Sequence, residues 1–289
     1  MARRVNGRRT VERRLNDYRR YWDEERETLP TPERDVLILE RLQAQLHYVY
    51  EKLPFYRRHY DAHGFKPDMV RSLEDFTTRV PIITKKMLVE DQGEHPPFGS
   101  YLGVERNDLA RVHGSSGTTG TPTMYGVSKH DWLRGRELSA MGMWCAGIRP
   151  DDLVQITYPF SLFFGGWGVL DAVERIGATA FPTGSVVPTD RQIGLMHDLG
   201  CDVVAGTPSY IAHLGARAKE LGYKMEDLEI ALTVMGGEPG ASIPSVRKML
   251  SEAWDGAAVV DLSAGSTSEL YPFLANVGCL EAEGGVHLI

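Results

Sequence analysis

The sequence predicts an α/β fold: an N-terminal helical region followed by alternating β–α units on a largely parallel sheet. Three observations carry that expectation. Beyond residue 150, short apolar runs alternate with amphipathic ones, the pattern of right-handed βαβ crossovers. Leu39, Leu42, Leu46, Val49 and Leu53 recur at spacings of three and four, which marks one buried helical face. Between these regions lies HGSSGTTGTPTMYG at 113–126, bracketed by strand-like LARVH and TPTMYGV.

Taken in order, residues 1–30 form a basic N-terminal arm, with Arg3, Arg4, Arg8, Arg9, Arg13 and Arg14 near its start. No aromatic residues interleave these arginines and no apolar stretch follows them. A solvated arm is therefore expected rather than an RNA contact or a secretory signal. Residues 31–110 are the helical region. Thr31, Pro32 and Glu33 suit a helix start, and Pro54 ends that helix. A short helix from Phe55 to His63 stops at Gly64. His59 and His63 sit at i,i+4, a spacing zinc sites use, but without a third ligand a surface helix is the expectation.

Residues 111–289 are expected to form the α/β core. Strands are read at Asp152–Tyr158, Ala178–Pro182, Asp202–Gly206, Leu228–Met235 and Ala257–Leu262. Helices are read at Gly166–Ile176, Arg191–Leu199 (capped by Thr189 or Asp190), Ser209–Leu221 and Ile243–Trp254. Ligands of such sheets bind beyond the carboxyl ends of the strands. That rule selects the loops at 158–168, 183–185, 207–210, 236–239 and 263–269. A last strand is expected near Gly285–Ile289, with an exposed edge that invites association.

The loop at 113–126 sets Ser115, Ser116, Thr118 and Thr119 among Gly114, Gly117 and Gly120. Glycines permit close backbone approach, and successive N–H groups with hydroxyls suit phosphate oxygens. A solvated turn is the plain alternative. A P-loop NTPase is excluded, because that motif ends in Gly-Lys-Ser/Thr and this stretch has no lysine. In the edge loops, YPFSLFFGGWG gathers Tyr158, Phe160, Phe163, Phe164 and Trp167 around Gly165 and Gly166, read either as core packing or as a pocket lining. Glu238, in Gly236-Gly237-Glu238-Pro239, is either a helix cap or an acceptor for a ribose or amine. Glu269, after Ser268, is either part of a turn or a ligand for Mg²⁺.

With 289 residues and a net charge of −7, the composition argues against nucleic-acid binding. The most apolar window, Tyr158 to Leu170, is too short and glycine-rich to span a membrane. Cys145, Cys201 and Cys279 lie far apart, which fits reduced thiols and a cytoplasmic location.

SSGTTGTPT, TDRQ at 189–192, TPSY at 207–210, GGEP at 236–239, DLSAGSTSE at 261–269 and GVHL at 285–288 occur in one order. That series, with LERLQAQLHYVYEKLPFYRRHY upstream, resembles the phenylacetate–CoA ligase family of adenylate-forming enzymes. The resemblance implies an AMP-forming acid–thiol ligase: an aryl or phenylacetate-like acid is activated with ATP and transferred to coenzyme A. It implies that Ser115, Ser116, Gly117, Thr118, Thr119 and Gly120 hold phosphates, with Thr118, Thr119 and Glu269 closest to the chemistry. It also implies that Glu269 carries Mg²⁺ and that Gly237, Glu238, Pro239, Asp261 and Ser268 border the nucleotide. Tyr158, Phe160, Phe163, Gly165, Gly166 and Gly236 are implied as the acid pocket. The Asp261–Glu269 segment is longer than the family pattern and lacks its adenine-facing tyrosine. Family members continue beyond the position of Ile289 into a lysine-bearing domain. The expectation is thus an incomplete large domain that self-associates as a homodimer or assembles with a separate C-terminal polypeptide. A non-catalytic ATP- or acyl-binding protein, or another adenylating enzyme on this scaffold, remains open at this point.

Overall fold

The structure, a computed structural model, describes residues 18–115, 122–184, 186–238 and 240–262. Two compact units are formed, residues 28–135 and residues 18–27 with 136–262.

In the first of these, helices α2 (Thr31–Lys52) and α3 (Pro54–Ala62) follow one another across Leu53. A short α1 (Glu24–Glu27) precedes them in the chain. Proline occupies the first turn of both α2 and α3, where its missing N–H costs no helical bond. Of the expected stripe, Leu42, Leu46, Val49 and Leu53 are buried and Leu39 is partly buried; Leu46, Val49 and Leu53 share a core with Phe55, Tyr60, Leu88 and Tyr101, and Leu39 packs against it. Gly64, at φ +63°, follows α3 as anticipated. His59 corrects the surface-helix expectation: it is 8% exposed and its ring stacks on Phe55. Ser72 caps α4 (Leu73–Arg79) by accepting the Asp75 N–H at 3.0 Å, and Thr84 caps α5 (Lys85–Glu94). Strands β1 (Leu109–Gly114) and β2 (Met124–Ser128) then pair antiparallel, with Gly114 opposite Met124. The glycine–hydroxyl loop therefore joins the two arms of a hairpin.

Helix α6 (Lys129–Cys145) follows. The other unit is a five-stranded parallel sheet in the order β4-β3-β5-β6-β7. Its strands are β3 (Leu153–Ile156), β4 (Thr179–Pro182), β5 (Val203–Gly206), β6 (Leu232–Met235) and β7 (Ala258–Asp261). Helices α7 (Phe164–Ile176), α8 (Thr189–Leu199), α9 (Pro208–Glu220) and α10 (Pro244–Ala253) alternate with them. Both faces are covered, as parallel sheets require. Val154, Ile156, Val203, Ala205, Leu232 and Val234 join one apolar cluster, with Ala172 and Val173 of α7. Val204, Met235 and Val259 join the other, with Ile193, Ile211, Leu214 and Trp254. Neighbouring residues of one strand thus serve opposite faces.

Two boundary expectations are corrected. The strand read from Leu228 begins at Leu232, because Met225–Leu228 is a 3₁₀ turn closed by Glu229 in a left-handed conformation, φ +52°. Leu228 and Ile230 are buried all the same, which explains their strand-like appearance. Neither Thr189 nor Asp190 caps α8, whose N-cap is Pro188. Asp190 instead makes a two-pronged ion pair with Arg217 of α9, both contacts at 2.7 Å. The expected strand near Gly285–Ile289, the arginines of the arm and Cys279 lie outside the described residues.

Candidate functional site

All strands of the sheet are parallel, so their carboxyl ends share one edge, where ligands of such sheets bind. Tyr158 follows β3 and reaches across that edge. Its hydroxyl donates to the Gly206 carbonyl at 2.8 Å, with the Gly236 carbonyl 3.3 Å away. One side chain thereby ties the ends of β3, β5 and β6. Burial, reinforced by the nearby Asp261 carboxylate, pushes the phenol well above its ordinary pKa, so it stays a donor throughout the neutral range.

Glycine is required where these loops meet. A Cβ on Gly206 would sit 2.1 Å from the Thr157 hydroxyl oxygen, and that hydroxyl donates to the Ala205 carbonyl at 2.9 Å. Gly237, at φ +88°, turns the chain beside Thr207 and the Tyr158 ring. Glu238 follows, half-buried, and its Oε1 accepts the Ser209 N–H at 2.6 Å. It therefore caps α9, the helix that precedes it in sequence, rather than starting a helix of its own. Hydrogen bonds from Ser209 and Thr207 hold its carboxyl below the usual glutamate range. Asp261 ends β7, its backbone opposite Met235.

Tyr158 and Phe160 pack on the core of the sheet, and Phe160 meets Trp167 edge-on at 5.1 Å. Phe163 and Phe164 are 47% and 36% exposed. Gly165 and Gly166 lie in the first turn of α7. A Cβ on Gly166 would stand 3.0 Å from the Pro159 carbonyl, whereas Gly165 faces open space.

Of the residues expected to hold phosphates, Ser115 lies at the end of β1. Its N–H donates to the Thr123 carbonyl and its hydroxyl oxygen accepts the Thr123 N–H, each at 3.0 Å. Ser115 thus closes the neck of the loop. Ser116, Gly117, Thr118, Thr119, Gly120, Pro239, Ser268 and Glu269 lie outside the described residues. Among the described residues, no three His, Cys, Asp or Glu side chains cluster closely enough to hold a metal ion.

The sequence reading missed a buried polar network beside this edge. Gln192 Nε2 donates its two N–H groups to the carbonyls of Gly184 and Val187, at 3.0 and 2.8 Å, with the Tyr210 hydroxyl 3.0 Å away. Its Oε1 accepts from Thr183 and Gln155. The signal was present, since Gln192 ends TDRQ and Tyr210 ends TPSY.

No family profile matches the sequence. Over 265 residues, 91% of this chain, it is 37% identical to the phenylacetate–coenzyme A ligase of Thermus thermophilus. The chain is a homologue of the phenylacetate–coenzyme A ligases. It is 35% identical to the Escherichia coli ligase of the same name over 214 residues. The chain spans about half the length of these relatives, 57% and 47% respectively. Crystal structures of 2-hydroxyisobutyryl-CoA ligase match it with TM-scores of 0.79 and 0.81 at 39% and 43% identity. Those matches cover 90% and 84% of this chain, and 57% and 51% of the ligase. The ligase is bound to 2-HIB-AMP and CoA in both. The α/β architecture with its helical N-terminal region is thus that of adenylate-forming enzymes. Among the described residues no helix is long and apolar enough to cross a membrane.

Proposed function

We propose that this chain carries the acid-activating part of an AMP-forming acid–CoA ligase acting on an aryl or other small carboxylic acid. The observation that supports the reading is Tyr158, drawn across the carboxyl ends of three parallel strands in a chain homologous to such ligases. In the reaction, the acid's carboxylate oxygen attacks the α-phosphorus of ATP and pyrophosphate leaves. The thiol of coenzyme A then attacks the acyl carbon, loses its proton, and AMP departs from the thioester.

The chain's own residues supply position and dipoles rather than covalent chemistry. In this proposal, the hydroxyls and N–H groups of the loop after Ser115 hold the phosphates, with Thr118 and Thr119 foremost. Gly237, Glu238 and Asp261 border the nucleotide, and Tyr158, Phe160, Phe163 and Gly236 face the acid. Glu269 is proposed as the Mg²⁺ ligand, the ion supplying charge neutralisation on the phosphates when bound. A cytoplasmic setting belongs to the same proposal. Calorimetric titration with the sulfamoyl analogue of phenylacetyl-adenylate tests it. Binding at least ten-fold tighter than AMP, about 1.4 kcal/mol, is expected. Equal affinity for the analogue and AMP would remove the acid pocket from the account.

A further inference from the structure

The return arm of the glycine–hydroxyl loop, residues 122–124, is held by a side chain that no motif singled out. Gln92 lies in α5 and is 9% exposed. Its Nε2 donates to the Pro122 carbonyl at 3.1 Å, and its Oε1 accepts the Met124 N–H at 2.7 Å. One partner is a carbonyl and the other an N–H, so the chemistry itself fixes which way round the amide lies. A residue in a parallel strand pairs in the same manner, engaging the groups before and after its neighbour. Gln92 therefore stands in for a missing strand alongside β2. Thr123, between those two groups, is held by Ser115 through both its N–H and its carbonyl. Tyr101 adds longer contacts to Gln92 Oε1 at 3.4 Å and to the Met124 carbonyl at 3.5 Å. Burial pushes its phenol up to about 12, so it remains a donor.

The base of this clamp is anchored as well. Asp91, next to Gln92 and 5% exposed, accepts from the Ser100 N–H at 2.6 Å and from Arg58 of α3 at 2.5 Å. Helix α5 is thus tied to α3 and to the Ser100 turn at the point from which Gln92 projects. Only a primary amide of this length offers a donor and an acceptor side by side. Glutamate lacks the donor, leucine lacks both, and asparagine falls short by a methylene.

We propose that Gln92 is a positioning residue for ATP: it fixes the return arm of the loop at Pro122 and Met124, and so the loop's grip on the β- and γ-phosphates. This rests on the phosphate-loop reading given above. The test compares wild type with Gln92→Leu and Gln92→Glu in calorimetric titrations with ATP and with AMP, alongside thermal melting and amide hydrogen exchange of residues 123–126. Gln92→Leu is expected to lose about 10-fold in ATP affinity, equal to about 1.4 kcal/mol, while AMP affinity holds and exchange at Thr123 and Met124 accelerates. Gln92→Glu keeps the acceptor but turns an oxygen toward the Pro122 carbonyl, and loses ATP affinity in the same selective way. It supplies the result should the leucine variant fail to fold. A purely structural role would weaken ATP and AMP equally, and an unchanged ratio of the two affinities in both variants overturns the proposal. Should the wild-type chain itself bind ATP no better than AMP, the phosphate-loop reading fails and this inference falls with it. That outcome is seen in the wild type alone, so the two failures are separable.

Discussion

Replacing Glu238 separates its capping role from any role toward nucleotide. Its carboxylate accepts the Ser209 N–H at 2.6 Å, at the second helical position of α9, where Pro208 has no N–H to offer. Alanine removes the acceptor and leaves an amide at the positive end of the helix dipole without its partner. Capping substitutions of this kind cost about 0.5–2 kcal/mol. The half-buried setting of Glu238 admits water, which places the expected loss near the middle, about 1 kcal/mol. Glutamine keeps the hydrogen bond and loses only the charge, worth about 0.3–1 kcal/mol near a helix N-terminus. Chemical denaturation followed by far-ultraviolet dichroism should thus rank wild type above Glu238→Gln and that above Glu238→Ala. Equal stability of all three proteins would refute the capping assignment. A nucleotide-affinity loss in Glu238→Gln larger than its stability loss would give the carboxylate a second role.

Further outcomes are expected elsewhere. Gly206→Ala must rotate Thr157 out of a 2.1 Å clash and should destabilise by about 1–3 kcal/mol; adding Thr157→Ala should recover part of that loss, which a double-mutant cycle measures. His59 has its pKa lowered from 6.5, first by burial and then by neighbouring His63. The unfolded chain therefore takes up the proton first, so this contribution to stability is complete above about pH 6.5 and is lost as pH falls through the lower folded value. Melting curves of His59→Phe should show a shallower acid slope than wild type, and an identical slope would count against the assignment. Thr118→Ala with Thr119→Ala should weaken ATP binding by about 1–3 kcal/mol for each charge-assisted bond removed, and unchanged affinity by calorimetry would sink the phosphate-loop proposal.

The parallel sheet was legible because β3, β4, β5 and β6 are each short, apolar and followed by a helix, so periodicity alone separates the elements. Helix α6 was not read. Its sequence, KHDWLRGRELSAMGMWC, shows no single apolar stripe, Gly135 and Gly142 interrupt it, and its buried apolar residues Ala140, Met141, Met143 and Trp144 crowd one end. Glycine-rich turns flagged the edge of the sheet, but no local pattern announces which carbonyl a tyrosine will reach. The bond from Tyr158 to Gly206 joins residues 48 positions apart. Glu238 is open in the sequence between a cap of the helix it precedes and an acceptor for a ribose or amine, because capping is recognised from adjacent residues, whereas its partner lies 29 positions earlier. Gln92 carried no sequence signal at all. An amide in an ordinary helix looks like surface until the strand it pairs with is known.

The central claim, that this chain activates a carboxylic acid on ATP, is tested most directly by acid-dependent exchange of labelled pyrophosphate into ATP. The purified chain is assayed across phenylacetate, benzoate and small aliphatic hydroxy acids. Slow exchange that requires an acid, is strongest with one structural class of acid, and disappears in Thr118→Ala/Thr119→Ala is the result predicted. Binding of ATP with no exchange for any acid in the panel would contradict the claim and leave a nucleotide-binding protein in its place.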